Sequence, residues 1–281
     1  SLLGNLYFAT GDITVIDNDA TWVLMFNKEM HKDHGLDNIY DLVRENKWNY
    51  DAFYKMFEVA AMDTNGDGKM MGPDDTFGFA TSDYSSYGLL YASGELFTTR
   101  DADEKPVLVS DHERMSRVAE YAAKIMADKE RTVITGKQGI ADSDNLRFVF
   151  EEGRALFFGE VMQCITRMRD SETAFGLVPW PKFDETQQDY CTLIHTTAGK
   201  GIVVPATQTN LEMAGAITEA MAAKSMYTLT PAYYDVALTY KYMRDNESAE
   251  MLDIILESRC FDLGLIYAWG GLSGGIHSII T

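Results

Sequence analysis

Apolar side chains recur along the chain with two different spacings, which predict strands and helices in alternation. Short apolar runs predict strands at residues 6–8, 13–16, 21–26, 76–80, 155–158, 175–180 and 201–205. Apolar residues three or four positions apart predict helices at residues 36–45, 51–62, 112–129, 144–151, 211–227, 231–244 and 246–258, and a helix followed by a loop at 85–97. This order indicates an α/β fold with a mostly parallel or mixed sheet.

Polar residues at helix ends support three of these boundaries. Asn49 stands where an N-cap is expected for the helix at 51–62. Thr209 and Glu212 have the spacing of a capping box in front of the helix at 211–227. Gly153 follows the helix at 144–151, in the position where glycine commonly ends a helix.

Composition and charge exclude several classes of function. The 281 residues are 46% hydrophobic and 24% charged, as in a globular protein with a substantial core. Lys and Arg number 24 against 43 Asp and Glu, which gives a formal net charge of −19. A chain this acidic repels phosphate backbones and anionic lipid, so we expect neither nucleic-acid binding nor direct membrane attraction.

Targeting signals and cysteines say little about the function. No apolar run approaches the roughly 20 residues that span a bilayer, and the first residues lack the features of a signal peptide, which favours a mature protein or a fragment of a longer one. Cys164, Cys191 and Cys260 are far apart and do not have zinc-ligand spacing. We expect three reduced, mostly buried thiols, with one disulfide and a spare thiol as the alternative.

The sharpest local motif is a loop rich in Asp and Gly. Counting from Asp63 as position one, the spacing of a calcium loop is matched by Asp63, Asn65, Asp67, Gly68, Lys69 and Asp74. In that spacing, side-chain oxygens and the backbone carbonyl at position seven surround a hard cation, and the glycine makes the sharp turn. A helix precedes the loop and a strand follows it, so we predict a structural Ca²⁺ site rather than a sensor; a surface turn without an ion is the alternative.

Aromatic residues near loops are candidates for sugar binding, because sugars present C–H surfaces that stack on aromatic faces. Among the four tryptophans, Trp180 and Trp269 lie beside Gly and Pro in predicted loops. Core packing is the alternative for each. Two weaker patterns, Gly-Leu-Ser-Gly-Gly at 271–275 and the pair His31 and His34, fit a glycine-rich turn and a surface pair better than a hydrolase or a metal site.

Several ordered segments together resemble the extracellular solute-binding proteins of ABC importers, of the type that binds sugars and oligosaccharides. The segments are residues 6–12 (LYFATGD), 22–28 (WVLMFNK), 48–53 (WNYDAF), the Asp/Gly loop with 77–79, 150–157 (FEEGRALF), 175–181 (FGLVPWP) and 267–271 (YAWGG). The resemblance covers nearly all of the chain. It implies a periplasmic-binding-protein-like fold of two α/β lobes (type II), with a solute held in the cleft between them.

The resemblance also implies how the chain is divided. Residues 1–197 and 246–281 are expected to form the C-terminal lobe, and residues 198–245 part of the N-terminal lobe. Members of the family carry a substantial segment before the part similar to residues 6–12, so one lobe is expected to be incomplete here. Family members of this kind are not enzymes, and they deliver their solute to ABC permease subunits.

The expected ligand site lies at the cleft. The candidates are Asp12, Tyr84 and Glu160, which follow predicted strands or turns, with Trp180 and Trp269 as stacking surfaces. The resemblance implies a mono- or oligosaccharide as the solute, with a peptide as the alternative. Acidic residues suit a neutral hydroxyl-rich ligand and oppose an anion. The resemblance implies a protein on the outer face of a Gram-positive bacterium, held by a lipid anchor absent from this chain, or in a periplasm.

Two other classes remain open from the residues. A glycosidase with two catalytic carboxylates is the first, and the 43 acidic residues offer many chance pairs. A calcium-stabilised adhesion module without a cleft is the second. Turnover of a sugar would identify the first, and stability that depends on calcium without any response to small molecules would identify the second.

Overall fold

A mixed five-stranded sheet forms the centre of the protein. The structure is a computed structural model that describes residues 8–109, 112–233 and 246–280. Its sheet has the order β5-β2-β6-β1-β7, in which β2 is parallel to β5 and β6, and β1 is antiparallel to β6 and β7. The strands are β1 (Trp22–Asn27), β2 (Phe77–Thr81), β5 (Thr132–Ile134), β6 (Ala155–Val161) and β7 (Phe175–Val178).

Two short strand pairs lie outside this sheet. An antiparallel hairpin joins β3 (Thr98–Arg100) to β4 (Pro106–Leu108). A parallel pair joins β8 (Thr192–Leu193) to β9 (Arg259–Cys260). The second pair brings together parts of the chain that are far apart in sequence.

Twelve α-helices lie wholly within the described residues, and a further helical stretch runs from residue 229 to residue 233, where that described range ends. The twelve are α1 (Ile16–Asp19), α2 (Lys28–Asp33), α3 (Ile39–Arg44), α4 (Tyr50–Ala60), α5 (Ser85–Ala92), α6 (His112–Ala127), α7 (Ser143–Glu151), α8 (Gln163–Arg167), α9 (Leu211–Met226), α10 (Asn246–Glu257), α11 (Leu263–Ile266) and α12 (Leu272–Ile280). No helix among the described residues combines the length and the apolar character that crossing a membrane requires.

The helices cover both faces of the sheet because strand side chains alternate between the faces. In β1, Trp22, Leu24 and Phe26 contribute to one core, and Val23 and Met25 contribute to the other. The first core packs residues of α3, α4, α5 and α6, and the second packs residues of α7, α8 and α10. A strand that is buried on both faces has a nearly continuous apolar sequence. For this reason the pattern at residues 21–26 correctly predicted a strand.

Several predicted elements are confirmed with small shifts. The strands at 21–26, 76–80, 155–158 and 175–180 correspond to β1, β2, β6 and β7, and the sheet is mixed as expected. Asn49 is the N-cap of α4, and its side chain accepts a hydrogen bond from the Ala52 N–H. Gly153 follows α7 with a φ of 72°, a left-handed conformation that glycine adopts at little cost.

Other expectations are wrong. Residues 13–16 were expected to form a strand, but Ile16 begins α1, whose Asp17 and Asn18 side chains accept hydrogen bonds from Arg259. This contact joins residues about 240 positions apart, so the local pattern could not show it. At 201–205 the structure has a single bridge, between Ile202 and Ala9.

The ends of the C-terminal helices also differ from the expectation. In place of the predicted capping box at Thr209, the side chain of Asn210 caps α9 by accepting a hydrogen bond from the Met213 N–H. The predicted helix at 231–244 is described only to residue 233, and its remainder lies outside the described residues, as do residues 6 and 7 of the predicted first strand.

Burial stops abruptly after the β8 region. Ile194 is 2% exposed, but no residue from 195 to 233 is buried, and burial resumes at Ser248 among the described residues. Helix α9 lies in this stretch and has no buried side chain, although it carries large apolar residues. Its structure therefore rests on its own hydrogen bonds rather than on packing.

Candidate functional site

The candidate site lies at one edge of the sheet, where several strands end. The parallel strands β2 and β6 both end there, and the antiparallel strand β1 begins there at Trp22. In open α/β sheets, ligands bind outside the carboxyl ends of the parallel strands, where loops rather than neighbouring strands follow. Tyr84 lies in the loop directly after β2, so its side chain is placed at this edge.

Aromatic rings from four parts of the chain meet at this edge. We call them the aromatic patch: Trp22, Tyr84, Tyr87, His195 and His277. The Tyr84 ring lies 6.4 Å from Tyr87, 6.2 Å from His195 and 5.8 Å from His277. His195 stacks on Trp22 at 5.4 Å. Trp22 is buried and supports the patch, whereas Tyr84 is 53% exposed and presents it to solvent.

His195 is held as a neutral ring. Its backbone N–H donates to the carbonyl of Ala20, and its Nδ1 accepts from the backbone N–H groups of Thr197 and Ala198. Burial lowers the pKa of His195, because the charged imidazolium is poorly solvated there. A neutral ring that is fixed by backbone hydrogen bonds can act as a flat contact surface.

A second aromatic pair follows α11. Tyr267 and Trp269 stack with ring centroids 5.8 Å apart and an angle of 10° between their planes. The turn that carries them passes through left-handed conformations at Ala268 (φ 48°) and Gly270 (φ 61°), which reverse the chain before α12. Tyr267 is 49% exposed, so this pair also presents aromatic surface to solvent.

One cavity lies between the two aromatic groups. It has a volume of about 270 Å³, and His195 and Tyr267 both line it. Its wall combines backbone and polar groups with apolar side chains: Phe8, Thr10, Ile194, His195, Thr196, Gly199, Lys200, Gly201, Val203, Phe261, Ile266 and Tyr267. A few polar groups among apolar and aromatic walls are typical of small-molecule sites.

Two of the predicted ligand residues lie next to this cavity. Tyr84 contacts His195, and Trp269 stacks on Tyr267, so each is one ring away from a residue that lines the cavity. Asp12 lies on the surface, and its Oδ1 accepts a hydrogen bond from Thr230 Oγ1 at 2.9 Å. Whether these three residues contact a ligand stays a prediction.

Glu160 lies on the other face of the sheet. It pairs with Val23 across β6 and β1, whereas the next residue, Val161, pairs with Trp22. Alternation along the strand therefore turns Glu160 away from the aromatic patch. It lines a separate cavity of about 160 Å³ together with Arg147 and Cys164, and burial raises its pKa.

Trp180 does not provide the open stacking face that was expected. It is 1% exposed and lies in the first core, with its ring 6.1 Å from that of Phe79. It packs against Gly88 and Gly159, where an added Cβ would approach the ring to 3.1 and 2.7 Å. The two glycines make room for the indole, which fixes Trp180 as a packing residue in this structure.

Two residues of the site were not singled out from the sequence. His195 follows the apolar residues Leu193 and Ile194, and a polar ring directly after a short apolar stretch is the signal that could have identified it. Tyr267 was part of the resembling segment 267–271, but only Trp269 was chosen from it. The contact between their two regions depends on the pairing of β8 with β9, which local patterns do not show.

The Asp/Gly loop is closed by its own hydrogen bonds. The Asp63 carboxylate accepts from the N–H groups of Gly66 and Gly68, and Asp67 accepts from Lys69 N–H. Asn65 accepts similarly from the N–H of Asp67.

The carboxylate that faces this loop from its far end belongs to Asp75, not to the predicted Asp74. Asp75 is fully buried and accepts from Thr64 and Met71 N–H, whereas Asp74 is exposed. Over residues 8–109, 112–233 and 246–280, no three His, Cys, Asp or Glu side chains cluster so as to hold a metal ion. Calcium therefore stays a prediction.

Comparison with known proteins finds matches among solved structures only. No protein family model and no curated protein matches the chain. Among solved structures, the maltose/maltodextrin-binding domain MalE from Bdellovibrio bacteriovorus bound to maltotriose matches with a TM-score of 0.56 and 16% identity, covering 98% of this chain and 67% of that one. A cyclo/maltodextrin-binding protein complexed with maltotetraose matches with a TM-score of 0.58 and 10% identity, covering 99% and 66%.

A third structure shows a different ligand on the same fold. UgpB from Mycobacterium tuberculosis, in complex with glycerophosphocholine, matches with a TM-score of 0.53 and 15% identity, covering 92% of this chain and 63% of that one. The chain thus has the α/β fold of these two-lobe, periplasmic-binding-protein-like structures and spans about two thirds of their length. The first two of these structures are of proteins described as maltodextrin-binding.

Proposed function

We propose that this protein is the substrate-binding component of an ABC transporter and that it captures a carbohydrate for import. The observation that carries the proposal is the cavity of about 270 Å³ flanked by two exposed aromatic groups. Aromatic rings beside a small cavity with a mixed apolar and polar wall suit a sugar ring, which offers C–H surfaces for stacking and hydroxyl groups for hydrogen bonds. The fold is one on which such ligands are bound, as the maltotriose and maltotetraose complexes illustrate.

The charge of the protein favours a neutral sugar over an anionic ligand. With a net charge of −19, the protein's field repels anions and leaves neutral polyols unaffected. No pair of carboxylates lines the cavity between the aromatic groups, so the described wall lacks the two acidic groups that a typical glycosidase uses. The geometry thus supports binding better than hydrolysis.

The change in burial supports the proposed division into lobes. Residues 1–197 and 246–281 are proposed to form one lobe and residues 198–245 part of the other. The stretch 195–233 buries no residue, which fits a segment that has left the lobe built on the central sheet. The cavity is lined by residues on both sides of the proposed boundary, among them His195 and Val203.

The proposal includes partners and location. A substrate-binding component hands its solute to permease subunits, and it acts outside the cytoplasmic membrane, either tethered by a lipid or in a periplasm. Structures of this fold support the general class of protein. The tether and the host are expectations from the family resemblance.

The test measures binding and turnover together. The 281-residue protein is heated with a panel of mono- and oligosaccharides that includes maltotriose and maltotetraose, and with glycerophosphocholine as a ligand that is not a sugar. Each sugar is then checked for hydrolysis. A ligand that binds only the folded state raises the melting temperature by an amount set by the ratio of its concentration to its Kd. We expect a rise with one class of sugar and intact sugar afterwards. No rise with any sugar would overturn the proposal, and hydrolysis would assign an enzyme instead.

Matched variants locate the binding surface. Tyr84→Ala and Trp269→Ala should each weaken sugar binding about tenfold, which corresponds to about 1.4 kcal/mol. Phe148→Ala is the control, because Phe148 is similarly exposed, at 45%, but lies on α7. Titration calorimetry with the sugar found above gives the affinities. An equal loss of affinity in all three variants would contradict this placement of the site. So would unchanged affinity in Tyr84→Ala and Trp269→Ala.

We also propose that the Asp/Gly loop binds a structural Ca²⁺. Its support is the calcium-loop spacing from Asp63 and the turn at Gly68, where φ is 77°. Calcium should raise the melting temperature of the protein and of Asp74→Asn, whose side chain is exposed, but not that of Asp63→Asn. An identical response to calcium and to magnesium in all three proteins would reject the site.

A further inference from the structure

Two cysteines lie in contact beside the paired strands β8 and β9. Strands β8 and β9 are parallel neighbours, joined by hydrogen bonds from Thr192 N–H to Ser258 O and from Ile194 N–H to Cys260 O. The Sγ atoms of Cys191 and Cys260 lie 2.7 Å apart, although the residues are separated by 69 positions in sequence. The backbone pairing therefore holds the two sulfur atoms in contact.

We propose that Cys191 and Cys260 form a disulfide when the protein reaches an oxidising compartment. The bond has a length of about 2.0 Å, so only a small side-chain adjustment separates the contact from the cross-link. The extra Thr192 Oγ1 to Ser258 Oγ hydrogen bond, at 2.9 Å, fixes the neighbouring residues of the two strands. This proposal does not depend on the proposed function.

The reaction is thiol–disulfide exchange with a small disulfide such as oxidised glutathione. One protein thiolate attacks the small disulfide and releases one small thiol, and the second protein thiolate then attacks the mixed disulfide and releases the other. The protein loses two protons and two electrons, and the small disulfide is reduced to two thiols. Contact with Cys191 and burial both raise the pKa of Cys260, which disfavours its thiolate.

Cys164 is the control provided by the chain. It is buried in α8 at the second core, and burial raises its pKa to about 12. A thiol of that kind is mostly protonated and shielded, so it reacts slowly. The sequence favoured three reduced thiols, and all three are free in the structure. The proposed oxidation would pair two of them and leave Cys164 as the free thiol.

The cross-link would close a long loop. Its ends are β8, where burial stops, and β9, which follows α10. A disulfide across a loop of this length restricts the unfolded chain, so it stabilises the folded state. We expect the oxidised protein to melt several degrees above the reduced one.

The experiment counts thiols in the intact protein. The protein is equilibrated with oxidised and reduced glutathione, denatured, alkylated and weighed, and its peptides are mapped. Oxidised wild type and Cys164→Ser should show the Cys191–Cys260 peptide, with one alkylated thiol in wild type and none in Cys164→Ser. Cys191→Ser should leave two alkylated thiols and lose the increase in melting temperature on oxidation. Three alkylated thiols in oxidised wild type, or a cross-link through Cys164, would overturn the proposal.

Discussion

Helices α6 and α9 are each 16 residues long, yet they differ completely in what they bury. In α6, Val118, Ala122 and Ile125 are at most 1% exposed and pack into the first core. In α9, Leu211, Ile217 and Met221 are each more than half exposed. The two helices have similar intrinsic tendencies to be helical, so the difference lies in what the rest of the chain places against them.

The comparison separates two sources of helix stability. Most helical stability in proteins comes from packing an apolar face, and an isolated helix of this length is marginal in water. Helix α6 has such packing, against α5 and α12. Helix α9 has its Asn210 cap and its internal hydrogen bonds instead. We therefore expect α6 to belong to the cooperative unit of folding and α9 to open by itself.

The largest effect is expected from removing the same side chain in the two helices. Ile125→Ala should lower the free energy of unfolding by about 3 kcal/mol, because it leaves a cavity in the core. Ile217→Ala should change it by less than about 0.5 kcal/mol, since it removes an exposed side chain and alanine favours helix. Denaturant unfolding of both variants measures the difference. A similar loss in Ile217→Ala would show that α9 is covered in solution.

A smaller effect is expected from removing helix caps. Asp142 caps α7 by accepting from Asn145 N–H, as Asn210 does from Met213 N–H in α9. Asp142→Ala should cost about 1 kcal/mol of global stability, as the loss of a capping hydrogen bond usually does.

In α9 the same loss should stay local. Asn210→Ala should speed amide hydrogen exchange within α9 while the global free energy of unfolding is unchanged. Hydrogen exchange by mass spectrometry, together with denaturant unfolding, separates the two results. A global loss in Asn210→Ala equal to that in Asp142→Ala would mean that α9 folds together with the sheet.

The smallest effect is expected in how stability depends on pH. Burial lowers the pKa of both His195, at the cavity, and His31, which contacts Phe26 in the first core. Below the unfolded pKa of about 6.5 the unfolded chain takes up protons that the folded protein resists, so stability falls as pH decreases. His195→Gln and His31→Gln should each flatten this dependence between about pH 7 and pH 5. Melting temperatures across this range that match wild type in both variants would contradict this reading.

The sequence predicted the elements better than their surroundings. Residues 21–26 and 155–158 are apolar apart from Thr21, which is typical of a strand covered on both faces. Residues 13–16 had the same apolar character, but the contact of Arg259 with Asp17 and Asn18 anchors a helical turn that begins there. The pattern contained no information about that partner.

The candidate site shows the same limit. Tyr84 and Trp269 were chosen for residue type and position near loops, and the structure places both beside the cavity. Trp180 was chosen on the same grounds, but Gly88 and Gly159 open a space in the core that its ring fills. Glu160 has the right position in sequence, and strand alternation turns it to the opposite face.

The sequence by itself determined the acidic surface, the strand and helix pattern of the central sheet, and the turn chemistry of residues such as Asn49 and Gly153, because these depend on neighbours along the chain. Only the tertiary structure decided which apolar helix is covered, which aromatic ring faces solvent and that Cys191 meets Cys260. Those outcomes depend on contacts between distant segments, and a spacing along the chain carries no record of them.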